Sequence, residues 1–274
     1  MSNAQQIAHA ATFRSLHAPG ELVVFPNAWD AGSAALFVAN GARAITTTSC
    51  AVAWSLGYAD GEDLPLEELL GAVRRMVRAV SVPVSVDFER GYGKTPREVA
   101  ESVTRVLETG AVAVNLEDGA GRPEALAESI AAAREAARRF GVDLFINSRT
   151  DIVLHRTHPP EQHVEESLAR AKIFEEAGAD GFFVPGLQNP DHIQAITRGT
   201  SLPLNVLAWP GLAPVPELRR LGVRRVTVGG RLGEVALEAA RRACVELLQA
   251  GTYSFPVGEI TYAGMNALFA PPRA

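Results

Sequence analysis

Three apolar runs of this chain end in side chains suited to metal-assisted acid chemistry. Val84-Ser85-Val86-Asp87-Phe88-Glu89 runs straight into Arg90-Gly91-Tyr92-Gly93, Ala113-Val114-Asn115-Leu116 into Glu117-Asp118, and Leu144-Phe145-Ile146 into Asn147-Ser148-Arg149-Thr150-Asp151. Magnesium takes hard oxygen ligands in an octahedral shell and keeps several waters, so a site needs only a few carboxylates plus the substrate's own oxygens. Asp87, Glu89 and Glu117 supply that set for Mg2+, with Mn2+ as the alternative ion. Residues two apart on a strand point to the same side, which lets Asp87 and Glu89 face one pocket while Phe88 turns away. Asp118 and Asp60 add negative charge and favour a bound cation. A single D-x-E reads as easily as a helix cap or a loop carboxylate; two acidic strand ends side by side favour the metal.

Carboxylates this far apart in sequence meet only if the fold gathers the ends of its strands. Eight short runs rich in Val and Ile, at residues 22–28, 44–49, 82–89, 111–118, 143–151, 181–186, 203–208 and 225–229, lack strict alternation, as strands buried on both faces do. Helical signals fill the gaps. Thr95-Pro96-Arg97-Glu98 is a capping box with proline at the first helical position, followed by the apolar stripe Val99, Val103, Val106 and Leu107. Residues 123–140 and 160–177 read the same way, with Gly141 and Gly178 as stops. Eight strand-helix units predict a parallel sheet closed into a (β/α)8 TIM barrel, which collects its functional side chains at the C-terminal ends of the strands. An open doubly wound sheet is the alternative. Its first turn would carry G-x-G-x-x-G, but here it reads Pro26-Asn27-Ala28-Trp29-Asp30-Ala31-Gly32, which gives no support to a Rossmann dinucleotide site.

No linker divides the chain, so residues 1–274 are read as one domain. Residues 1–12 are expected as an N-terminal extension, with Ser2-Asn3-Ala4 set aside as a cloning scar. Residues 252–274, with Tyr253, Phe255, Tyr262, Met265, Leu268 and Phe269, are too apolar for a free end and are expected to pack on the barrel or a neighbouring subunit. With 274 residues, 47% of them hydrophobic, the chain can bury a substantial core. A net charge of -5 offers no basic face, so small molecules rather than nucleic acid are the expected partners. Cys50 and Cys244 lack any C-x-x-C spacing, which argues against a disulfide framework and against zinc and suits a reducing cytoplasm. No run approaches the ~20 apolar residues that span a bilayer, so no membrane partner is expected.

The Asp87-x-Glu89-x-Gly91-Tyr92-Gly93 stretch, Leu116-Glu117-Asp118, Arg149-Thr150-Asp151, the Leu56-Gly57-x-x-Asp60 turn and the opening Phe25-Pro26-Asn27-Ala28-Trp29-Asp30 together resemble the isocitrate lyase/phosphoenolpyruvate mutase superfamily. The similarity runs from about residue 13 to about residue 249. It implies a barrel, magnesium, a small 2-oxo or 2-hydroxy carboxylate substrate and an enolate-like intermediate formed at a C–C or P–C bond. It also implies a homotetramer in which the last helix, residues 232–250, swaps between neighbours, and the apolar residues spread around that helix by themselves predict a homo-oligomer, dimer or tetramer. Asp87 and Glu89 match the metal positions, the second being more often aspartate, and Glu117 matches the next carboxylate of the metal shell. Arg149 matches the arginine that clamps the substrate carboxylate, a task suited to its rigid fork. Thr48-Ser49-Cys50 matches the segment that holds the other end of the substrate, Asp60 an acidic residue near the metal, and Asn205 a substrate-binding asparagine.

The departures narrow the activity. The lyases' K-x-C-G-H loop is replaced by Glu117-Asp118-Gly119-Ala120-Gly121-Arg122-Pro123, the mutase Lys-Thr-Asn loop is absent, and Gly186 stands where lyases commonly have glutamate. Three readings remain: a C–C lyase or decarboxylase, a P–C hydrolase or mutase acting on a phosphonate such as phosphonopyruvate, and a non-catalytic binder of 2-oxo acids. Arg149, Asp60 and Cys50 are the candidate catalytic residues, and Thr48, Ser49, Arg149 and Asn205 the candidate substrate contacts. Cys50 reads equally as a small core residue. His155 and His158 follow the fifth run, but no third nitrogen ligand is placed for a metal. Gly229-Gly230-Arg231 reads either as an anion cradle or as a turn into the final helix.

Overall fold

The computed structural model describes residues 2–255 and 258–270. Helix α1 (Asn3–Ser15) comes first, followed by a strand that Pro26, having no N–H for the ladder, splits into β1 (Val23–Phe25) and β2 (Asn27–Ala28). Then come β3 (Ile45–Thr47), β4 (Val84–Asp87), β5 (Ala113–Glu117), β6 (Phe145–Arg149), β7 (Gly181–Phe183), β8 (Leu204–Leu207) and β9 (Arg225–Thr227). They form one sheet in the order β1-β9-β8-β7-β6-β5-β4-β3-β2. The pairing is parallel throughout, with β1 on β9 and β2 on β3, so the split strand joins both ends of the ladder and closes it. The nine segments are thus the eight strands of a (β/α)8 TIM barrel.

The intervening helices are α2 (Ala31–Ala39), α3 (Ser49–Leu56), α4 (Leu66–Ala79), α5 (Pro96–Glu108), α6 (Pro123–Phe140), α7 (His163–Glu176), α8 (Pro190–Gly199) and α9 (Val215–Arg220). Their starts and stops follow local chemistry. Thr95 and Glu98 make the expected capping box on α5, which buries Val99, Val103, Val106 and Leu107 against the sheet. Gly141 closes α6 in the left-handed conformation, at φ 83°.

The N-terminal segment is tied to the rest of the chain by side-chain contacts. Ser2 caps α1, Phe13 is fully buried, and Gln6 Nε2 donates to the carbonyls of Leu107 and Ala111 at 2.8 and 3.0 Å. Helix α1 therefore packs against the barrel, a role its weak amphipathic pattern does not announce. Phe13 stacks on Phe25 and meets Phe145 edge-on, and His17 stacks on Phe145, so aromatic rings from α1, β1 and β6 pack together. Across the strands runs a polar layer: Asn147 Nδ2 donates to Asn115 Oδ1 at 2.9 Å, and Asn115 Nδ2 donates to Asp87 Oδ1 at 3.2 Å.

The final helix, α10 (Arg231–Val245), continues into a π-helical turn (Glu246–Ala250). Of α10 only Gly233 is buried, while Val235 and Leu237 are 61% and 57% exposed and Leu248, in the π-helical turn, is 77% exposed. Helix α11 (Tyr262–Phe269) lies against α2; residues 256–257 and 271–274 of the tail lie outside the described residues. Among the described residues no helix is long and apolar enough to cross a membrane.

Candidate active site

The C-terminal ends of β4, β5 and β6 are neighbours in register: Asp87 pairs with Asn115, and Glu117 with Arg149. Asp87 is the best-fixed member of the group. Its Oδ2 accepts the Ser49 N–H at 3.1 Å, its Oδ1 accepts from Asn115, and its own N–H donates to Thr47 Oγ1 at 2.8 Å. Ser49 begins α3, so Thr48, Ser49 and Cys50 reach the site at the start of a helix, and Thr48 Oγ1 lies 3.3 Å from Cys50 Sγ.

Glu89 also reaches the group, but by another route than strand alternation. Strand β4 stops at Asp87, and Glu89 stands in the turn beyond it with a left-handed backbone, φ 48°. Its Oε1 accepts the Tyr92 hydroxyl at 3.2 Å. Burial first, then Asp87, Asp60 and Glu62, push the Glu89 carboxyl up to about 7. Burial also pushes Glu117 up to about 8, with Asp151, Asp87 and Glu89 adding to the rise against the pull of Arg149. Asp60 is raised as well, chiefly by burial and by Asp87.

Arg149 is held in the cluster by two carboxylates: Nη1 lies 2.8 Å from Glu117 Oε2, and Nε donates to Asp151 Oδ1 at 2.7 Å. Burial alone would lower its pKa, but Glu117, Asp151 and Asp87 hold it above the ordinary value. Asp118 is consumed elsewhere. Arg170 Nη1 donates to its Oδ2 at 2.6 Å, and the amides of Ala120 and Asp151 donate to its Oδ1, so it adds little free charge to the cluster. The same contacts fold the short loop after β5 into a tight turn. Beside it a cavity of about 300 Å3 is lined by Glu117, Arg90, Lys94 and Arg122, among others.

Asn205, His155 and His158 lie outside this group. Asn205 is fully buried on β8, where its Oδ1 accepts from Thr227 Oγ1 at 3.3 Å while its Nδ2 has no partner among the described residues. His155 Nε2 sits 3.9 Å from Asp151 Oδ2 on an exposed side chain, and His158 Nδ1 lies 3.1 Å from Thr157 Oγ1. Gly229-Gly230-Arg231 serves as a turn: the amides of Val228 and Gly229 donate to Asn27 Oδ1 at 2.8 and 3.0 Å, and a Cβ on Gly230 would meet Cys50 Sγ at 2.5 Å. Cys50 is partly buried, and burial, then Asp60 and Asp87, raise its thiol pKa.

Four residues of the site carried no role in the sequence reading. Asn115 follows from the spacing that singles out Glu117, being two residues earlier on the same face of β5. Tyr92 lay within a recognised motif. Glu62 and Arg170 gave no local signal, because the carboxylate and the guanidinium each act on another segment of the chain.

The family model of phosphoenolpyruvate phosphomutase matches residues 13–248. An oxaloacetate decarboxylase of Bradyrhizobium sp. (strain BTAi1) is 33% identical over 207 residues, covering 71% of this chain and 68% of that protein. An uncharacterized protein of Mycobacterium tuberculosis (strain H37Rv) is 34% identical over 233 residues, 85% of this chain and 87% of the other. Among solved structures, a protein of Burkholderia cenocepacia J2315 named only provisionally as a lyase/mutase superposes with a TM-score of 0.89 at 36% identity over 98% of both chains. A 2,3-dimethylmalate lyase, described as a member of the PEP mutase/isocitrate lyase superfamily, gives a TM-score of 0.83 at 25% identity over 95% of this chain and 94% of its own. With an acid cluster at the strand ends of a closed barrel and a match across nearly its whole length, the chain belongs to the phosphoenolpyruvate phosphomutase family and is an enzyme of the PEP mutase/isocitrate lyase superfamily.

Proposed function

We propose that this enzyme is a Mg2+-dependent lyase that cleaves a C–C bond in a small 2-oxo or 2-hydroxy carboxylate, with oxaloacetate decarboxylation as the first reaction to test. The observation that carries the reading is the convergence of Asp87, Glu89 and Glu117 beside the buried Arg149 guanidinium. The name of the Bradyrhizobium relative directs the choice of substrate.

The residues present fit a hard divalent ion. Their donors are all carboxylate oxygens, and Glu89 and Glu117 bind protons tightly because burial and the neighbouring carboxylates outweigh the one guanidinium, Arg149, beside Glu117. Among the described residues no three His, Cys, Asp or Glu side chains form a ready-made cage, so Asp87, Glu89 and Glu117 would hold the ion in part through water, as Mg2+ prefers. Bound there, Mg2+ would supply a Lewis acid that offsets the charge developing on the 2-oxo oxygen.

The chain's own residues do the rest. Arg149 turns one edge of its fork from Glu117 or Asp151 to the substrate carboxylate, giving two parallel charge-assisted bonds. Thr48 and Ser49 offer their hydroxyls to the other end, while Asn205, fully buried on β8, takes no part in this reading. In decarboxylation the C–C bond to the departing carboxyl breaks, its electron pair passes to the adjoining carbon, CO2 leaves, and that carbon takes up a proton. Cys50, whose thiol burial keeps protonated, and Asp60, whose proton affinity is raised, are the proposed donors of that proton.

A panel of oxaloacetate, phosphonopyruvate, methylisocitrate and related 2-hydroxy acids tests the reading. Pyruvate and CO2 formed from oxaloacetate with Mg2+, and abolished by a chelator, are expected. Phosphate release from phosphonopyruvate as the main activity, or no turnover at all, would overturn it.

A further inference from the structure

We propose that Glu62 is a positioning residue that latches the loop carrying Asp60 onto the loop carrying Glu89; the consequence drawn for the metal rests on the function proposed above. The turn after β4 has an unusual backbone: Glu89, Gly91 and Tyr92 all have left-handed φ angles, 48°, 99° and 52°. A non-glycine residue in that region costs roughly 1–2 kcal/mol, so two of them persist only where the surroundings fix them. The turn's amides converge on one acceptor. Glu62 Oε1 accepts the N–H of Arg90 at 3.0 Å and that of Tyr92 at 2.9 Å, while Glu62 Oε2 lies 3.7 Å from Arg90 Nη2. Converging backbone amides form a concavity that suits an anion, and here a carboxylate of the same chain fills it.

What the latch joins gives it a functional meaning. Glu62 is two residues beyond Asp60, and Arg90 and Tyr92 bracket the segment just past Glu89, so one carboxylate sets the separation of two acidic groups that come from different strand ends. The turn has little other freedom. A Cβ on Gly91 would meet Val99 Cγ1 at 2.7 Å, and one on Gly93 would meet the Val99 backbone nitrogen at 2.6 Å, which leaves the turn pressed on α5 and steered from the side facing Glu62. The Glu89 carbonyl also accepts the Glu117 N–H at 2.8 Å, so a displaced turn would disturb β5 as well.

The test compares Glu62→Ala with Glu62→Gln, in which the amide oxygen can still accept both N–H groups although the charge is gone. Mn2+ affinity is measured by titration and amide exchange is followed in residues 89–93. Glu62→Ala is expected to weaken Mn2+ binding on the order of tenfold or more, as loss of a group orienting a ligand does, and to speed exchange at Arg90 and Tyr92. Glu62→Gln should stay within about threefold of wild type on the same scale. Equal losses in the two variants would make the effect one of charge and overturn the latch, as would unchanged affinity and exchange in Glu62→Ala. Should Glu62→Ala fail to fold, Glu62→Asp, one methylene short of the turn, is expected to show the same losses. Wild type that binds no Mn2+, with faster exchange in Glu62→Ala, would uphold the latch and sink the metal reading separately.

Discussion

Arg149 is the residue on which the substrate reading turns, and in the structure it is already paired with Glu117 and Asp151. A ligand carboxylate must therefore take over part of an existing fork, and lysine, with a point charge and no fork, cannot do so equally well. Arg149→Lys is expected to keep the fold and the metal but to weaken oxalate binding by about 1.5–3 kcal/mol, measured by calorimetry on the Mn2+-loaded protein. Unchanged oxalate affinity would leave Arg149 as a residue that only closes the barrel end. Arg225 presents the opposite case. It is fully buried on β9, lies over the rings of Phe25 and Phe13 and, among the described residues, makes no ion pair within 4 Å and leaves Nε and Nη1 without partners; burial pushes its pKa down to about 9 against the opposing pull of Asp87. A buried charge opposed only by the more distant Asp87 costs stability, so Arg225→Met is expected to hold or raise Tm, and a clear fall would contradict that account. Nothing in the local sequence around Arg225 marks it as buried, because its burial depends on which face of β9 turns inward.

At the scale of elements, the strand ends were legible and the turns between them were not. The alternation of Asn115 with Glu117 and of Asn147 with Arg149 places polar groups on one face of β5 and β6, as a period of two requires. The same rule applied to Asp87 and Glu89 reaches a correct neighbourhood through a wrong premise, since β4 ends at Asp87 and a left-handed turn, not a pleat, brings Glu89 in. Long-range partners such as Glu62 and Arg170 act across loops, and no spacing in the chain encodes them. The clustered carboxylates give these elements a pH dependence. Folded Glu117, at about 8, and Glu89, at about 7, keep protons that the unfolded chain releases near the ordinary value of 4.5. Their contribution to stability is thus fully present below that value and is lost as pH rises through 7 and 8. Tm of the metal-free protein is expected to fall between pH 5 and 8.5, and Glu117→Gln to flatten that fall. At pH 8, Mg2+ a hundredfold above its Kd should restore roughly 5–10 °C, and less at pH 5.5, where it competes with protons. A metal-free Tm that rises over this range would contradict the assignment.

For the whole molecule, the closed barrel follows from the repeat of eight apolar runs, while the position of α10 does not follow from periodicity alone. Val235, Leu237 and Leu248 remain exposed along α10 and its π-helical extension, more apolar surface than a lone barrel needs on its outer helix. Sedimentation at micromolar concentration is expected to give a dimer or tetramer, and a charged residue at Val235 or Leu237 to shift it toward monomer; a monomeric wild type would rule out assembly through this helix. The central claim, that Asp87, Glu89, Glu117 and Arg149 form one metal and carboxylate site, is open to a single direct measurement. Crystals grown with Mn2+ and oxalate would show the ion by anomalous scattering. The expected peak lies beside the Asp87 carboxylate, with oxalate between it and Arg149. A peak elsewhere, with Arg149 still paired to Glu117 and Asp151, would contradict the account.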